Sequence, residues 1–295
     1  MMKKKIVIAG GTGFIGKYLT KKFSETIYDV LIISRDKDHI NWNDEAAIIK
    51  ALEHAELLIN LAGKSVDCRY NAKNKKEILL SRTETTKALG RAILKCSNPP
   101  ALWINSGTAT IYRHAEDRPM TEDAGEIGKG FSVNVATSWE QSFFAFKLPA
   151  TRQVVLRMAI VLGKDEGVIK PLTNLVRFGL GGKQGNGNQM FSWIHIEDVY
   201  NIILFIQSHN LQGVFNCSAP NPVNNKAFMK TLRQTMHIAA GLPTPVWLLK
   251  TGAVIIKTET ELILKSRWVI PEKLLKAGYH FKYSFLQEAF ENIIH

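Results

Sequence analysis

Lys4-Lys5-Ile6-Val7-Ile8-Ala9-Gly10-Gly11-Thr12-Gly13-Phe14-Ile15-Gly16 decides the fold of this chain. Lys4 to Ala9 is a short apolar run rich in Ile and Val, the pattern of a buried parallel strand. Ile15 to Phe23 then shows apolar residues at helical spacing. Between them Gly10, Gly13 and Gly16 make a GxxGxxG turn. One glycine lets the chain turn with positive φ, one lets the backbone approach a pyrophosphate, and one lets helix and strand pack closely. The pyrophosphate would meet the exposed N–H groups and the positive dipole at the helix start. Gly10, Thr12, Gly13, Phe14, Ile15 and Gly16 are the first candidate cofactor-binding residues.

Further along, the same rhythm repeats. Asp29 to Ser34, Glu56 to Leu61, Leu102 to Ser106 and Gln153 to Leu162 read as strands. Glu45 to His54, Lys75 to Cys96 and Trp139 to Phe146 read as helices between them. Alternating strands and helices predict an α/β fold, a Rossmann-type doubly wound parallel sheet with helices on both faces. Beyond Gly163 the rhythm changes. Gly179 to Gln189 is a loop rich in Gly and Asn, Phe191 to Ile196 a short strand and Glu197 to Gln207 a helix. A mainly helical tail follows Ala219-Pro220-Asn221-Pro222. The expected division is a cofactor-binding domain over 1–165, with 191–217 returning to it, and a smaller, mostly helical C-terminal lobe over 166–295.

The second strand ends in Ser34-Arg35. Enzymes that use NAD carry Asp or Glu there to hold the ribose 2′-hydroxyl, and that carboxylate would repel a 2′-phosphate. Arginine offers a charge-assisted, often bidentate grip on a phosphate, and Ser34 adds a hydroxyl. Ser34 and Arg35 therefore point to NADP(H), although Asp36 follows at once.

Bulk properties narrow the class. The chain has 295 residues, 45% hydrophobic and 22% charged, with a net charge of +12. That balance suits a polyanionic ligand such as a phosphorylated cofactor. The basic residues are spread along the chain, and the densest run, Lys73-Asn74-Lys75-Lys76, meets Glu77 at once, so nucleic acid is not an expected partner. No run reaches the ~18 apolar residues of a membrane span, and the basic start is followed by too short an apolar run to be a signal peptide. Cys68, Cys96 and Cys217 are far apart and form no CxxC pair, which predicts a cytoplasmic protein. His195 and Asp198 lack a third ligand at suitable spacing, so no metal is expected.

The sequence resembles the extended short-chain dehydrogenase/reductases, and more narrowly their atypical "epimerase family" subgroup (NAD-dependent epimerase/dehydratase-like), over nearly the whole chain. Asn60-Leu61-Ala62-Gly63, Lys76-Glu77-Ile78, Ser81-Arg82, Val161-Leu162-Gly163, Phe191-Ser192-Trp193-Ile194-His195-Ile196 and Val269-Ile270-Pro271 carry the likeness. It implies that Leu61, Ala62 and Gly63 lie along the pyrophosphate and nicotinamide ribose, that Glu77 and Arg82 reach the cofactor from the following helix, and that Val161 sits near the nicotinamide.

The resemblance also exposes a gap. The wider family pairs a Ser or Thr with a Tyr-x-x-x-Lys motif, whose lysine lowers the tyrosine pKa for proton transfer. Thr108, in Ser106-Gly107-Thr108-Ala109-Thr110-Ile111-Tyr112, takes the Ser/Thr position as the candidate catalytic residue. The segment Phe131 to Glu140, where the pair belongs, has neither tyrosine nor lysine; Tyr18 with Lys22 has the spacing but sits on the helix after the glycine turn. Phe191 stands where sugar-nucleotide enzymes carry a diphosphate-binding arginine. Two functions stay open: an NADP(H)-dependent oxidoreductase or epimerase-like enzyme with a rebuilt proton relay, whose candidate participants are Thr108, Tyr112 and a substrate hydroxyl or water, or an NADP(H)-binding sensor or scaffold without turnover. The partner is a small-molecule substrate of unknown identity, and the assembly a monomer or homodimer.

Overall fold

The Ile- and Val-rich runs become strands because both of their faces find cover. A computed structural model of the chain describes residues 4–164, 166–246 and 265–295. Its strands, in chain order, are β1 (Lys4–Ala9), β2 (Tyr28–Ser34), β3 (Ile40–Asn41), β4 (Ala55–Asn60), β5 (Leu102–Thr108), β6 (Arg152–Met158), β7 (Ile160–Leu162), β8 (Met190–Phe191), β9 (Trp193–His195), β10 (Gly213–Cys217) and β11 (Val223–Asn224). The helices are α1 (Phe14–Ser24), α2 (Glu45–Leu52), α3 (Ala72–Leu94), α4 (Phe131–Phe144), α5 (Ile169–Arg177), α6 (Ile196–Ser208), α7 (Asn225–Thr235), α8 (Glu272–Lys276) and α9 (Leu286–Ile294).

Seven strands pair in the order β10-β6-β5-β4-β1-β2-β3, every pair parallel. One face carries Ile6, Ile8, Leu57, Ile59, Ile104 and Leu156, covered by Leu19 and Phe23 of α1 and by Val199, Ile202 and Ile206 of α6. The other carries Val7, Leu58, Trp103 and Val155, covered by Ile48 and Leu52 of α2, Leu89 and Ile93 of α3, and Phe143 of α4. This alternation explains why the strands read as continuous apolar runs. Each such side chain contributes about 1.5–3 kcal/mol by leaving water. The order reverses at β1, which has β2 on one side and β4 on the other, and so opens a crevice at the carboxyl ends of β1 and β4.

Beyond β6 the chain sends α6 and β10 back to the main sheet and builds from the rest a smaller, mostly helical lobe. Its core joins Leu172 and Val176 of α5, Phe228 and Leu232 of α7, and Leu286, Phe290 and Ile293 of α9 with Leu162, Phe191 and Trp193. Two small sheets, β7-β9 and β8-β11, carry it. Asp198 at the start of α6 ties the 279–283 segment down: it accepts from Tyr279 Oη (2.9 Å), Lys282 N (2.9 Å) and Tyr283 N (3.0 Å). His195 is the N-cap of α6, its Nδ1 accepting from Glu197 N at 3.1 Å. Both residues are structural. Among the described residues no cluster of His, Cys, Asp and Glu can hold a metal, and no helix is long and apolar enough to cross a membrane.

Several expected boundaries move. The helix expected from Trp139 starts at Phe131, after Gly130 at φ 105°. Its β-branched Val133, Val135 and Thr137 have little intrinsic taste for helix, but Val133, Val135, Trp139 and Phe143 are buried, and packing decides. The strand expected over Gln153 to Leu162 divides at Ala159, whose N–H goes to Cys217 O (3.0 Å), whereas Ile160 N goes to Ser192 O (3.1 Å). The strand changes partner there, from β10 to β9. The strand expected over Phe191 to Ile196 divides at Ser192, whose side chain takes up backbone partners, accepting from Val269 N at 2.7 Å; Ile196 already belongs to α6. β3, β10 and β11 are additional strands. Residues 247–264 of the expected helical tail lie outside the described residues.

Candidate cofactor cleft

The three glycines of the first turn have three different reasons to be glycine. Gly10 has φ +79°, and a Cβ there would lie 2.8 Å from Ala62 N and 2.9 Å from the Leu61 carbonyl carbon. A Cβ on Gly16 would lie 2.5 Å from Gly10 O and 2.6 Å from Gly11 Cα. The fold itself demands both. Gly13 is different: its φ of −80° and ψ of 175° suit any residue, and the nearest atom to its Cβ would be Gly10 O at 3.7 Å. No protein group needs that space. Gly13 precedes α1, whose first N–H groups have no acceptor within the helix. The empty position and the free donors together make a cradle for an anion.

The cradle opens into a cleft of ≈ 760 Å³. Gly10, Thr12 and Gly13 form its floor. One wall is Ser34 and Arg35, with Asn41 at the end of β3 and Trp42 and Asn43 after it. Ser34 is buried, and its Oγ accepts from Asp36 N at 2.9 Å, which leaves the hydroxyl proton for another acceptor. Arg35 is exposed and makes no ion pair among the described residues. Asp36 turns away into its own loop, its Oδ1 accepting from Asp38 N (3.4 Å), and is not part of the wall. The wall therefore presents a guanidinium and a hydroxyl with no carboxylate.

Leu61, Ala62, Gly63 and Lys64, with Ser81 and Thr85 of α3, form the opposite wall. Buried amides hold it in shape. Asn60 Nδ2 donates to Asn105 Oδ1 (2.7 Å) and Thr86 Oγ1 (3.0 Å), while Asn60 Oδ1 accepts from Ala62 N (3.1 Å). Glu77 and Arg82 do not line the cleft; they brace this wall from behind. Glu77 pairs with Lys64 Nζ, and the ammonium holds its carboxyl below the usual range. Arg82 Nη1 donates to Lys64 O (3.0 Å) and Ile78 O (3.1 Å), and its guanidinium lies 5.1 Å over the Trp139 ring. A Cβ on Gly63 would stand 3.0 Å from Arg82 Cζ. Burial pulls the Arg82 pKa down to about 10, and no carboxylate pairs with it among the described residues.

Phe14, Ile15, Gly16 and Val161 also stand outside the cleft lining. Ile15 and Val161 pack against the sheet core. The Phe14 ring fills the space a Cβ would need on Gly163 (2.7 Å) and on Gly167 (3.2 Å), so it seals the glycine turn against the chain leaving β7. Asn41, Trp42, Asn43, Lys64, Ser81 and Thr85 escaped the sequence reading. The two-residue β3 has no periodicity to betray it, and the one signal was a tryptophan between two asparagines.

Thr108 ends β5, half-buried, with its Oγ1 accepting from Thr110 N at 3.2 Å. Tyr112, an expected participant in proton transfer, has its hydroxyl engaged elsewhere. It is 1% exposed, its hydroxyl donates to Asn216 Oδ1 (2.9 Å) and accepts from Arg157 Nη1 (2.8 Å), and burial pushes its pKa up. Arg157 in turn is held by both oxygens of Glu140 at 2.8 Å. Tyr112 belongs to a structural network. Nor does Tyr18 replace it: burial pushes that phenol up to about 12, the wrong direction for a lysine-activated base.

A cleft at the strand-order reversal, floored by a glycine turn and a helix start, defines a dinucleotide-binding α/β protein. The chain belongs to the NAD dependent epimerase/dehydratase family, whose model matches residues 6–218; a domain of unknown function, DUF1731, matches residues 244–293. It is 34% identical to "Epimerase family protein SDR39U1" of Bos taurus, over 98% of this chain and 99% of that one. It is 32% identical to "Epimerase family protein YfhF" of Bacillus subtilis, over 98% and 97%. The crystal structure of human epimerase family protein SDR39U1 (isoform 2) with NADPH matches at a TM-score of 0.89 and 32% identity, covering 98% of each chain.

Proposed function

We propose that this protein binds NADP(H) in preference to NAD(H) and uses it in an oxidoreductase or epimerase-like reaction on a small molecule. The observation that carries the cofactor choice is Arg35, exposed at the cleft wall beside the Ser34 hydroxyl with no carboxylate turned toward it. A 2′-phosphate there would gain a charge-assisted contact from Arg35 and a hydroxyl contact from Ser34. Trp42 offers an apolar face farther along the same wall. Gly13 leaves room for a pyrophosphate at the start of α1, and the NADPH carried by the human relative supports the reading. Residues 1–165, with 191–217 returning to them, would hold the cofactor, and the rest of the lobe over 166–295 would wall the substrate. The unpaired Cys68, Cys96 and Cys217 favour a reducing, cytoplasmic setting.

The bound cofactor supplies or accepts a hydride. Thr108 is the residue assigned to the substrate. Its oxygen already accepts the Thr110 N–H, so its own proton is free to donate to a substrate oxygen. A threonine hydroxyl is too weak an acid to deliver the proton alone, so the reaction requires a proton from water or from the substrate itself. The engagement of Tyr112 favours a second reading, an NADP(H) sensor without turnover. Steady-state assays of ketones, aldehydes, quinones and nucleotide sugars with NADPH, followed by the absorbance of the reduced cofactor, separate the two. Turnover of any class supports the enzyme; tight NADPH binding with no turnover supports the sensor.

A further inference from the structure

The smaller lobe carries a charge imbalance that the cofactor cleft does not use. Residues 167–246 hold six basic side chains, Lys170, Arg177, Lys183, Lys226, Lys230 and Arg233, against two acids, Glu197 and Asp198. Both acids are engaged elsewhere: Glu197 with Lys282 Nζ at 2.7 Å, and Asp198 with the 279–283 segment. None of the six cations forms an ion pair among the described residues.

Four of them gather on one surface. Lys226, Lys230 and Arg233 recur at i, i+4 and i+7 along α7, which makes one stripe of that helix. A Cβ on Gly187 would lie 3.0 Å from Lys183 Cβ and 3.3 Å from Lys226 Cβ, so the two lysines flank that glycine. Lys230 and Arg233, with His237, line an open hollow of ≈ 430 Å³. The dipole of α7 suits Arg233 in its last turn but opposes Lys226 in its first, so helix stability does not account for the stripe.

Two apolar side chains protrude beside these cations. Phe178, just after α5, is 82% exposed, and Leu242 is 67% exposed. Their backbones are neighbours, because Leu242 N donates to Gly179 O at 2.7 Å. The Arg233 stem joins them to the stripe: its Cδ lies 2.9 Å from where a Cβ on Gly181 would stand and 2.8 Å from one on Gly241. Apolar tips held together in water mark a surface that a partner covers.

We propose that this face, α7 with the 178–187 turn, docks on the surface of an anionic phospholipid membrane. The lysine and arginine heads meet the lipid phosphates, and Phe178 and Leu242 enter the boundary between headgroups and acyl chains. The charge complementarity is to a dense layer of anions, and the protruding apolar pair requires an apolar layer directly beneath it. The face shares no residue with the cofactor cleft, so it stands whether or not NADPH binds.

The test sediments the full chain with vesicles of phosphatidylcholine alone and of phosphatidylcholine mixed with phosphatidylserine. The protein should bind the mixed vesicles, ignore the neutral ones, and release as salt screens the charges. Phe178→Ser should weaken binding at least about tenfold through the lost apolar insertion. Lys183→Gln combined with Lys230→Gln should weaken it about 25-fold, roughly fivefold for each cation. These side chains are exposed, so melting temperature and NADPH affinity should hold. Lys21→Gln combined with Lys147→Gln removes the same charge from exposed positions on other elements and should leave binding near that of the parent. Equal binding to neutral vesicles, binding unchanged in Phe178→Ser, or an equal loss in the Lys21 and Lys147 control overturns the inference. So does saturable binding of polyglutamate in place of vesicles, which would make the face a dock for an acidic protein.

Discussion

Gly13→Ala separates a glycine kept for the fold from one kept for the ligand. An added Cβ would have nothing nearer than Gly10 O at 3.7 Å, and the backbone at φ −80° suits alanine. Alanine is a poorer N-cap than glycine by up to about 1 kcal/mol. It also stiffens the unfolded chain, which returns about 0.4–1 kcal/mol. Stability should stay within about 1 kcal/mol of the parent, a melting shift of no more than about 4 °C. The methyl would stand where a pyrophosphate approaches α1. Displacing that group from one or two helix N–H donors loses about 2–4 kcal/mol, which weakens NADPH roughly 30- to 1000-fold. Gly16→Ala provides the contrast, because its Cβ would lie 2.5 Å from Gly10 O, a backbone atom. It should cost stability and binding together. Thermal unfolding and NADPH fluorescence titration read both quantities. Normal NADPH affinity in a folded Gly13→Ala protein would refute the placement of the pyrophosphate.

Three further expectations follow from the same geometry. Glu140→Gln leaves Arg157 as a buried charge without its partner, in a pair whose side chains are 10% and 12% exposed. It should cost about 3–5 kcal/mol in chemical denaturation, and a change below 1 kcal/mol would mean water replaces the carboxylate. Burial lowers the His195 pKa from 6.5 to about 4, against the opposing pull of the nearby Glu197 carboxylate. Between those values the unfolded chain takes up a proton that the native one refuses. The native advantage is therefore whole above about pH 6.5 and is lost as the pH falls toward about 4, by up to about 3 kcal/mol. His195→Asn, which keeps an N-cap acceptor, should flatten that slope in urea titrations, and an unchanged slope would assign it to other groups. Thr108→Ala should lower turnover of any substrate found by roughly 10²-fold while NADPH affinity holds, as for one lost positioned donor; equal loss of both would make Thr108 a structural residue.

How much of this was legible depended on whether a residue's role is local. Gly10, Gly13 and Gly16 are read from their own spacing between strand and helix, and the structure adds only which glycine serves which purpose. Ser34 and Arg35 are legible because they end a strand whose apolar pattern is plain. Membership of the family was carried by motifs spread along the chain, and its model covers residues 6–218. What could not be read was set by distant partners. Tyr112 looked available because Arg157 and Asn216, which occupy its hydroxyl, are 45 and 104 residues away. Glu77 and Arg82 looked like cleft residues, yet the loop carbonyl and lysine they brace belong to residue 64. α4 starts early because burial outweighs the weak helix preference of its first residues. Trp42 reaches the cleft just after a two-residue strand that exists only by pairing with β2.

The most direct test of the cofactor assignment is calorimetric titration of the purified protein with NADPH and with NADH at one ionic strength, repeated on Arg35→Asp. Arg35 and Ser34 at the cleft wall lead us to expect NADPH at least about tenfold tighter, a difference of about 1.4 kcal/mol. In Arg35→Asp that preference should vanish or reverse, since a carboxylate repels a 2′-phosphate and accepts from a 2′-hydroxyl. Equal affinities in the parent, or a preference that survives Arg35→Asp, would contradict the assignment.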